Sequence, residues 1–374
     1  MYTTELGRFC ATCSNWEEVL TDEPFNLKVS RDDGYVMFKY NQLSSNFNLK
    51  KVQEARGIIF LEGEWGRPVC HAFDKFGNYG ESYVPDIDWN SAVVTQKVDG
   101  SLMKVWWDEY WHISTNGTID AFKADIGDAR VANYGQLFLK HFTEKDLNFE
   151  EFFQALDRRY TYLFELVSPY NRVVIPYEKT QLYFLGYRNE NNLIIPFHRA
   201  SDLTSIIDYF QIKLPKHYPL HSLSACIEAA KDLSWDEEGY VVDDANGNRV
   251  KIKSPAYVVA HHTRANGVIT TKSLINIILI NETEEFLTYA EDYREQVKDI
   301  KKKMEAAAAV HEIALAGVKA CEYQSRKEYA DMVNKYPSYI RPYLFANYDN
   351  KVPFKEYTQK WNEAKWEKIL EEAF

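Results

Sequence analysis

Cysteine is scarce in this chain. Five occur in 374 residues, an odd number that fits a reducing cytosol rather than a disulfide framework. Positive charge is also in deficit, with 44 Lys and Arg against 55 Asp and Glu and a net charge of −11. A protein that coats nucleic acid by bulk charge is thereby excluded, and any polyanion must meet a local basic patch. No apolar run reaches the length of a membrane span, and Ser273 to Ile280 is far too short. The opening Met1-Tyr2-Thr3-Thr4-Glu5 lacks the basic and apolar regions of a secretory leader, so a cytoplasmic location is expected. Cys10-x-x-Cys13 has zinc-like spacing but no second pair to complete a site. Repeats and low-complexity tracts are absent.

What is present is an aromatic-rich chain long enough for two or three domains. Apolar residues make up 45% and aromatic ones 15%, with 26 Tyr and 9 Trp. Up to about residue 258 the pattern predicts mixed strands and helices. Tyr35 to Tyr40, Ala92 to Thr95, Leu102 to Trp107, Tyr160 to Val167 and Leu182 to Tyr187 read as strands. Leu102 to Trp107 reads as the hairpin partner of Ala92 to Thr95. Asp120 to Phe142, Phe149 to Leu156, Ala200 to Phe210 and Ser222 to Leu233 read as helices. Asn246-Gly247-Asn248 predicts a tight turn between Gly239 to Val242 and Arg249 to Ser254. Beyond residue 258 long segments follow a helical period: Thr270 to Leu279, Glu284 to Ala320, Gln324 to Lys335 and Pro353 to Phe374. An α+β domain over 1–258 and an all-helical domain over 259–374 are expected.

The stretch Thr95-Gln96-Lys97-Val98-Asp99-Gly100-Ser101-Leu102 sets Lys97 where a strand meets a turn. Such a place exposes a side chain to a cavity. An unperturbed lysine, with a pKa of about 10.4, is almost wholly charged at pH 7. A nucleophilic lysine therefore needs desolvation or neighbouring cations. Several residues along the chain suit such a site. Arg56 precedes Gly57 at the head of an apolar strand, and a guanidinium there suits phosphate or carboxylate. Lys75 lies in an aromatic, basic loop. Glu165 sits inside the run Tyr-Thr-Tyr-Leu-Phe-Glu-Leu-Val and by period two points with Leu163 and Val167. A carboxylate there needs a partner or a wet site. Glu238 precedes Gly239, and Lys251 and Lys253 share one strand face.

Taken in order, Arg56-Gly57, Lys75, Lys97-x-Asp99-Gly100, Glu165, Glu238-Gly239 and Lys251-x-Lys253 resemble the covalent nucleotidyltransferases, the superfamily of ATP-dependent DNA and RNA ligases and mRNA capping enzymes. Within it the chain most resembles RNA ligases of the bacteriophage T4 RNA ligase 1 type. The matching stretches are Glu-Ala-Arg-Gly-Ile-Ile-Phe, Lys-Val-Asp-Gly-Ser-Leu, Phe-Glu-Leu-Val-Ser-Pro-Tyr-Asn-Arg-Val-Val, Glu-Gly-Tyr-Val-Val and Val-Lys-Ile-Lys-Ser. Other ligases and capping enzymes carry an OB-fold where this chain has helical pattern. One departure stands out: the turn Ser114-Thr115-Asn116-Gly117 has no lysine where that type places one.

The resemblance implies an ATP-grasp-like nucleotidyltransferase domain of antiparallel sheets with helices, followed by an all-α domain that selects RNA. It implies an enzyme that joins 5′-phosphate and 3′-OH ends of single-stranded RNA, such as a broken tRNA loop, through lysyl-AMP and adenylated RNA. ATP and Mg²⁺ are the implied cofactors, with Mn²⁺ as substitute, and a cytoplasmic monomer encoded by a phage is the implied setting. Lys97 would be the nucleophile, Lys251 and Lys253 would hold the α-phosphate, and Arg56 and Lys75 would serve other phosphates. Glu165 would accept from the ribose and Glu238 would hold the metal. Asp99, Gly100, Tyr40 and Tyr187 complete the candidate set, Tyr187 as a stacking partner for adenine. A DNA ligase, a capping guanylyltransferase and a non-catalytic RNA-binding relative remain the alternatives.

Overall fold

A computed structural model describes residues 3–42, 44–263, 269–289, 291–349, 352–359 and 361–374. The chain divides into two compact units, Met1–His261 and His262–Phe374.

The first unit holds every strand found among the described residues. In chain order these are β1 (Lys28–Asp32), β2 (Tyr35–Lys39), β3 (Arg56–Leu61), β4 (Val93–Gln96) and β5 (Ser101–Asp108). They continue with β6 (Tyr110–Thr115), β7 (Asp125–Asp128), β8 (Val131–Asn133), β9 (Thr161–Val167) and β10 (Gln181–Arg188). The last are β11 (Ile194–Pro196), β12 (His217–Tyr218), β13 (Gly239–Asp243) and β14 (Arg249–Lys253). They form antiparallel sheets ordered β1-β2-β3, β11-β10-β9-β5-β6 and β12-β4-β13-β14, with β7-β8 as a small ribbon.

The five-stranded sheet is two-faced because its strands alternate. Met103, Val105, Tyr162, Phe164, Leu166, Leu182 and Phe184 turn into the largest core. The helices Tyr134–Thr143, Phe149–Ala155 and Thr204–Tyr209 cover that side. Full burial of each such side chain contributes about 1.5–3 kcal/mol. Asn133 and Asn148 start two of these helices, each side chain accepting from an amide in the first turn. The opposite residues, Leu163, Leu102 and Leu185, pack with Ala72 and Phe73 in a smaller cluster. Glu165 lies on that second side.

Two expectations fail here. Leu102 to Trp107 is not the hairpin partner of Ala92 to Thr95: β4 pairs with β12 and β13, whereas β5 pairs with β6 and β9. The lysine loop therefore crosses between two sheets. Gly100 lies so close to β9 that a β-carbon on it would stand 2.5 Å from the Leu166 carbonyl oxygen, and this contact draws the chain onto the second sheet. Nor is Asp120 to Phe142 one helix. A short 3₁₀ turn, Ala121–Lys123, and the β7-β8 ribbon precede a helix that begins only at Tyr134. Gly127, at φ +77°, accepts the left-handed turn the ribbon needs. The apolar period ran straight through that turn.

The described elements of the second unit are all helical: Thr271–Leu279, Thr283–Tyr289, Arg294–Lys319, Arg326–Val333, Arg341–Ala346, Phe354–Tyr357 and Glu363–Ala373. The stretch expected as one helix over 284–320 is divided, with a 3₁₀ turn at Glu291–Tyr293, and Ala290 lies outside the described residues. Ala314, Val318, Tyr329, Val333, Ile340 and Leu344 make one core of this unit. Ser325 and Asn362 cap two of its helices. No described helix of the chain is long and apolar enough to cross a membrane.

Candidate functional site: a lysine cleft ringed by cations

The cleft lies between the two larger sheets of the first unit and encloses about 300 Å³. Lys97, Arg56, Glu165 and Lys251 line it, with Gly100 in the same wall. Four candidates from separate stretches of sequence are thus brought to one cavity. The Lys97 amide donates to the Gly239 carbonyl at 2.8 Å, which ties the crossover loop to the head of β13. The Lys97 ammonium is ion-paired with the Glu238 carboxylate, which is 6% exposed. Gly239, at φ +131°, lies against β14 where a β-carbon would collide with the Ile252 carbonyl. Glycine at this position is what lets Glu238 turn back toward Lys97.

Glu165 is desolvated among these groups. Burial pushes its carboxyl up to about 7 against the opposing pull of Lys97, with Glu238 adding to the rise. Burial also raises Glu238, again opposed by Lys97 and Lys253. Lys251 goes the other way. Burial drives it well below the usual lysine range, and Lys75, Arg56, Lys97 and Lys253 add like-charge repulsion. Four other cations thus crowd Lys251.

An aromatic hinge holds the crowd together. Residues 77–79 add to the edge of β14, the Lys251 amide donating to the Gly77 carbonyl at 3.0 Å and the Tyr79 amide to the Lys251 carbonyl at 2.8 Å. This sets the Phe76 ring 4.8 Å from Lys251 Nζ and 5.2 Å from the Arg56 guanidinium. Each such contact is worth about 0.5–2 kcal/mol. Arg56 keeps Nε and Nη1 buried with no hydrogen-bond partner among the described residues. Lys75 sits between Tyr40 and Phe47, 5.2 and 4.7 Å from their rings. It lines the neighbouring groove rather than the lysine cleft.

Other candidates take different places. Asp99 is a strut: its carboxylate accepts from the Val174 and Ile175 amides and from the Tyr257 hydroxyl, at 2.8–3.0 Å. Lys253 faces Gly239 in the β13–β14 register. Tyr187 does not reach the cleft, which corrects the expectation of an adenine stack. A bulge between Phe184 and Gly186 reverses the alternation of β10 and turns Tyr187 into the main core, stacked on Tyr160 at 4.7 Å. Leu185 faces the cleft instead.

The turn that lacks a lysine contributes Asn116, whose Oδ1 is buried without a partner among the described residues. Lys39 of β2 supplies a cation beside that turn, its Nζ 3.0 Å from where a β-carbon on Gly117 would stand. Sequence reasoning missed this lysine because it comes from another sheet. It also missed Arg249, although its place on β14, two and four residues before Lys251 and Lys253, was signal enough.

Groups of three or more metal-ligating side chains are absent among the described residues. Glu238, buried, and Glu165, partly buried in the cleft wall, offer carboxylate oxygens that suit a divalent cation keeping water and phosphate as its other ligands.

The RNA ligase family model matches residues 54–257, more than half of the chain and all of the cleft. An RNA ligase of Rhodothermus phage RM378 is 26% identical over 327 residues, covering 73% of this chain and 73% of that protein. A protein of Autographa californica nuclear polyhedrosis virus, named as a bifunctional polynucleotide kinase/RNA ligase, is 29% identical over 286 residues. That match covers 71% of this chain but only 39% of the viral protein. Among solved structures, an archaeal ATP-dependent RNA ligase aligns with a TM-score of 0.44 at 13% identity, over 76% of this chain and 74% of that one. The lysine, the paired carboxylates and the cations of β14 all fall inside the matched segment, and this chain belongs to the T4 RNA ligase 1 type of the RNA ligase family.

Proposed function

We propose that this chain seals RNA ends with ATP, and that Lys97 carries the nucleotide. The Lys97 amine attacks the α-phosphorus of ATP; the N–P bond forms, the bond to the β-phosphate oxygen breaks, and pyrophosphate leaves. An RNA 5′-phosphate oxygen then attacks the same phosphorus, restoring the lysine and giving adenylated RNA. A 3′-OH attacks the RNA phosphorus, a phosphodiester forms and AMP departs. The supporting observation is Lys97 paired with Glu238 in a cleft whose cations Arg56 and Lys251 have no carboxylate partner among the described residues.

Phosphoryl transfer of this kind needs positioning and charge neutralisation more than covalent chemistry. Lys251 and Lys253 hold the α-phosphate, Lys75 lies toward the β- and γ-phosphates, and Arg56 serves the later steps. Glu165 orients the ribose hydroxyls. A divalent cation held through Glu238, Mg²⁺ with Mn²⁺ as substitute, supplies charge for the phosphate oxygens. The helical unit selects a structured RNA such as a cleaved tRNA loop, the protein acting as a cytoplasmic monomer. Its acidic surface favours end-selective binding that weakens with salt.

The test is transfer of α-labelled AMP to the protein. Label from ATP that is absent in Lys97→Ala and discharged by 5′-phosphorylated RNA is the expected result. Label from GTP alone would make the enzyme a capping type, and label in Lys97→Ala would move the nucleophile elsewhere.

A further inference from the structure

A second, larger groove of about 780 Å³ adjoins the lysine cleft in the same unit. The two share Phe73, Phe76, Pro196, Asp243 and Arg249 as a common wall. The charges on its lining are unequal in their commitments. Asp74 is taken by Lys50, His71 and Arg188. Asp243 is held by His198 Nε2 at 3.0 Å. Asp244 accepts from the amides of Asp88, Asn246 and Asn248. Every carboxylate of the groove is therefore satisfied.

Three of its cations are not. Among the described residues the Lys75 ammonium meets only Gln42 Oε1, at 3.4 Å, and two aromatic rings. Arg199 and Arg249 have no carboxylate within ion-pair distance among the described residues. Arg249 is the sharpest case. Its guanidinium lies 4.2 Å from the Phe73 ring and 5.5 Å from Phe76, and its Nε is sealed from solvent with no acceptor among the described residues. A buried N–H without an acceptor is costly unless a ligand completes it. Arg249 shares its strand face with Lys251, two residues or about 6.6 Å away. It therefore stands one phosphate's reach from the atoms that act on the nucleotide. The planar fork of arginine suits a terminal phosphate. The volume far exceeds that of pyrophosphate, and Phe73, Tyr83 and Pro85 give the apolar surface a nucleoside needs.

Building on the proposed ligase reading, we infer that this groove binds the 5′-phosphorylated end of the RNA strand, with Arg249 as the contact for its terminal phosphate. The end enters beside Phe73 and presents its phosphate to the Lys97 side of the shared wall.

The probe is a short single-stranded RNA with a 5′-phosphate, and the same RNA with a 5′-hydroxyl, titrated by fluorescence anisotropy onto wild type, Arg249→Gln and Arg249→Lys. Loss of the charged fork should weaken binding of the phosphorylated RNA about tenfold or more, down to the affinity of the hydroxyl form, with partial rescue by lysine. Thermal melting accompanies each variant, and the lysine variant keeps the charge if glutamine disturbs folding. Equal affinities of wild type and Arg249→Gln for phosphorylated RNA would overturn the inference. So would a loss shared equally by both RNAs, or a raised KM for ATP in lysyl-AMP formation with RNA affinity intact, which would put Arg249 on the ATP phosphates. Binding is read without turnover, so a wild type that makes no lysyl-AMP would defeat the ligase reading while leaving this comparison decisive.

Discussion

At the scale of single residues, the cleft stores its chemistry as shifted proton affinities. Glu165 rises to about 7 because burial outweighs the pull of Lys97. Its folded value lies above the unfolded one, so the folded state binds more protons, and stability falls as pH climbs from about 4.5 to about 7. Glu165→Gln removes that cost. Its unliganded melting temperature at pH 8 should exceed that of wild type, by up to about 3 kcal/mol of stability, while ATP binding is lost. Calorimetry at pH 5 and pH 8 checks this, and no difference between the two would contradict it. Lys251 is displaced downward by burial and then by its cationic neighbours. A bound phosphate favours the charged ammonium, so the KM for ATP should rise as pH rises. The profile of lysyl-AMP formation between pH 6 and pH 9 measures it; Lys251→Arg should flatten the slope. The inward carboxylate Glu165 was legible in sequence because one charged residue interrupts an alternating apolar strand. Tyr187 was not, because a single bulge inverts the side it faces.

At the scale of elements, β14 does most of the organising. Its alternation puts Arg249, Lys251 and Lys253 on one face, while Val250 and Ile252 turn into the core. The register that opposes Gly239 to Lys253 and Val241 to Lys251 brings that face to Lys97. The close approach holds only with glycine at the head of β13. Gly239→Ala should cost more than about 2 kcal/mol of stability, through its positive φ and the collision with Ile252, and should slow lysyl-AMP formation even at temperatures where the protein is folded. Denaturant unfolding beside label transfer reads both effects. The strands and turns of this region were legible because Asn246-Gly247-Asn248 and the alternating cations are local signals. The partner of β4 was not, since sheet membership depends on which distant strand offers its edge.

At the scale of the whole molecule, the side chains of the cleft and groove all belong to Met1–His261. A chain ending at His261 should still form lysyl-AMP from ATP, within about tenfold of the full chain, and should discriminate less between structured and unstructured RNA. Label transfer and competition between the two RNAs test this; loss of lysyl-AMP in a folded truncated protein would assign the helical unit to the chemistry. What the sequence by itself determined was the inventory: the lysine at a strand-to-turn junction, the ordered carboxylates and cations, and a helical C-terminal third. Turn chemistry and the periods of strand and helix act over a few residues, so they are written locally. Only the tertiary structure decided that the lysine loop joins two sheets and that Tyr187 faces the core. It also decided that Lys39 stands beside a turn with no lysine of its own, and that Arg249 is left without an acceptor. Each of those outcomes depends on segments far apart in the chain meeting at contact distance, where packing and unpaired charge first acquire a value.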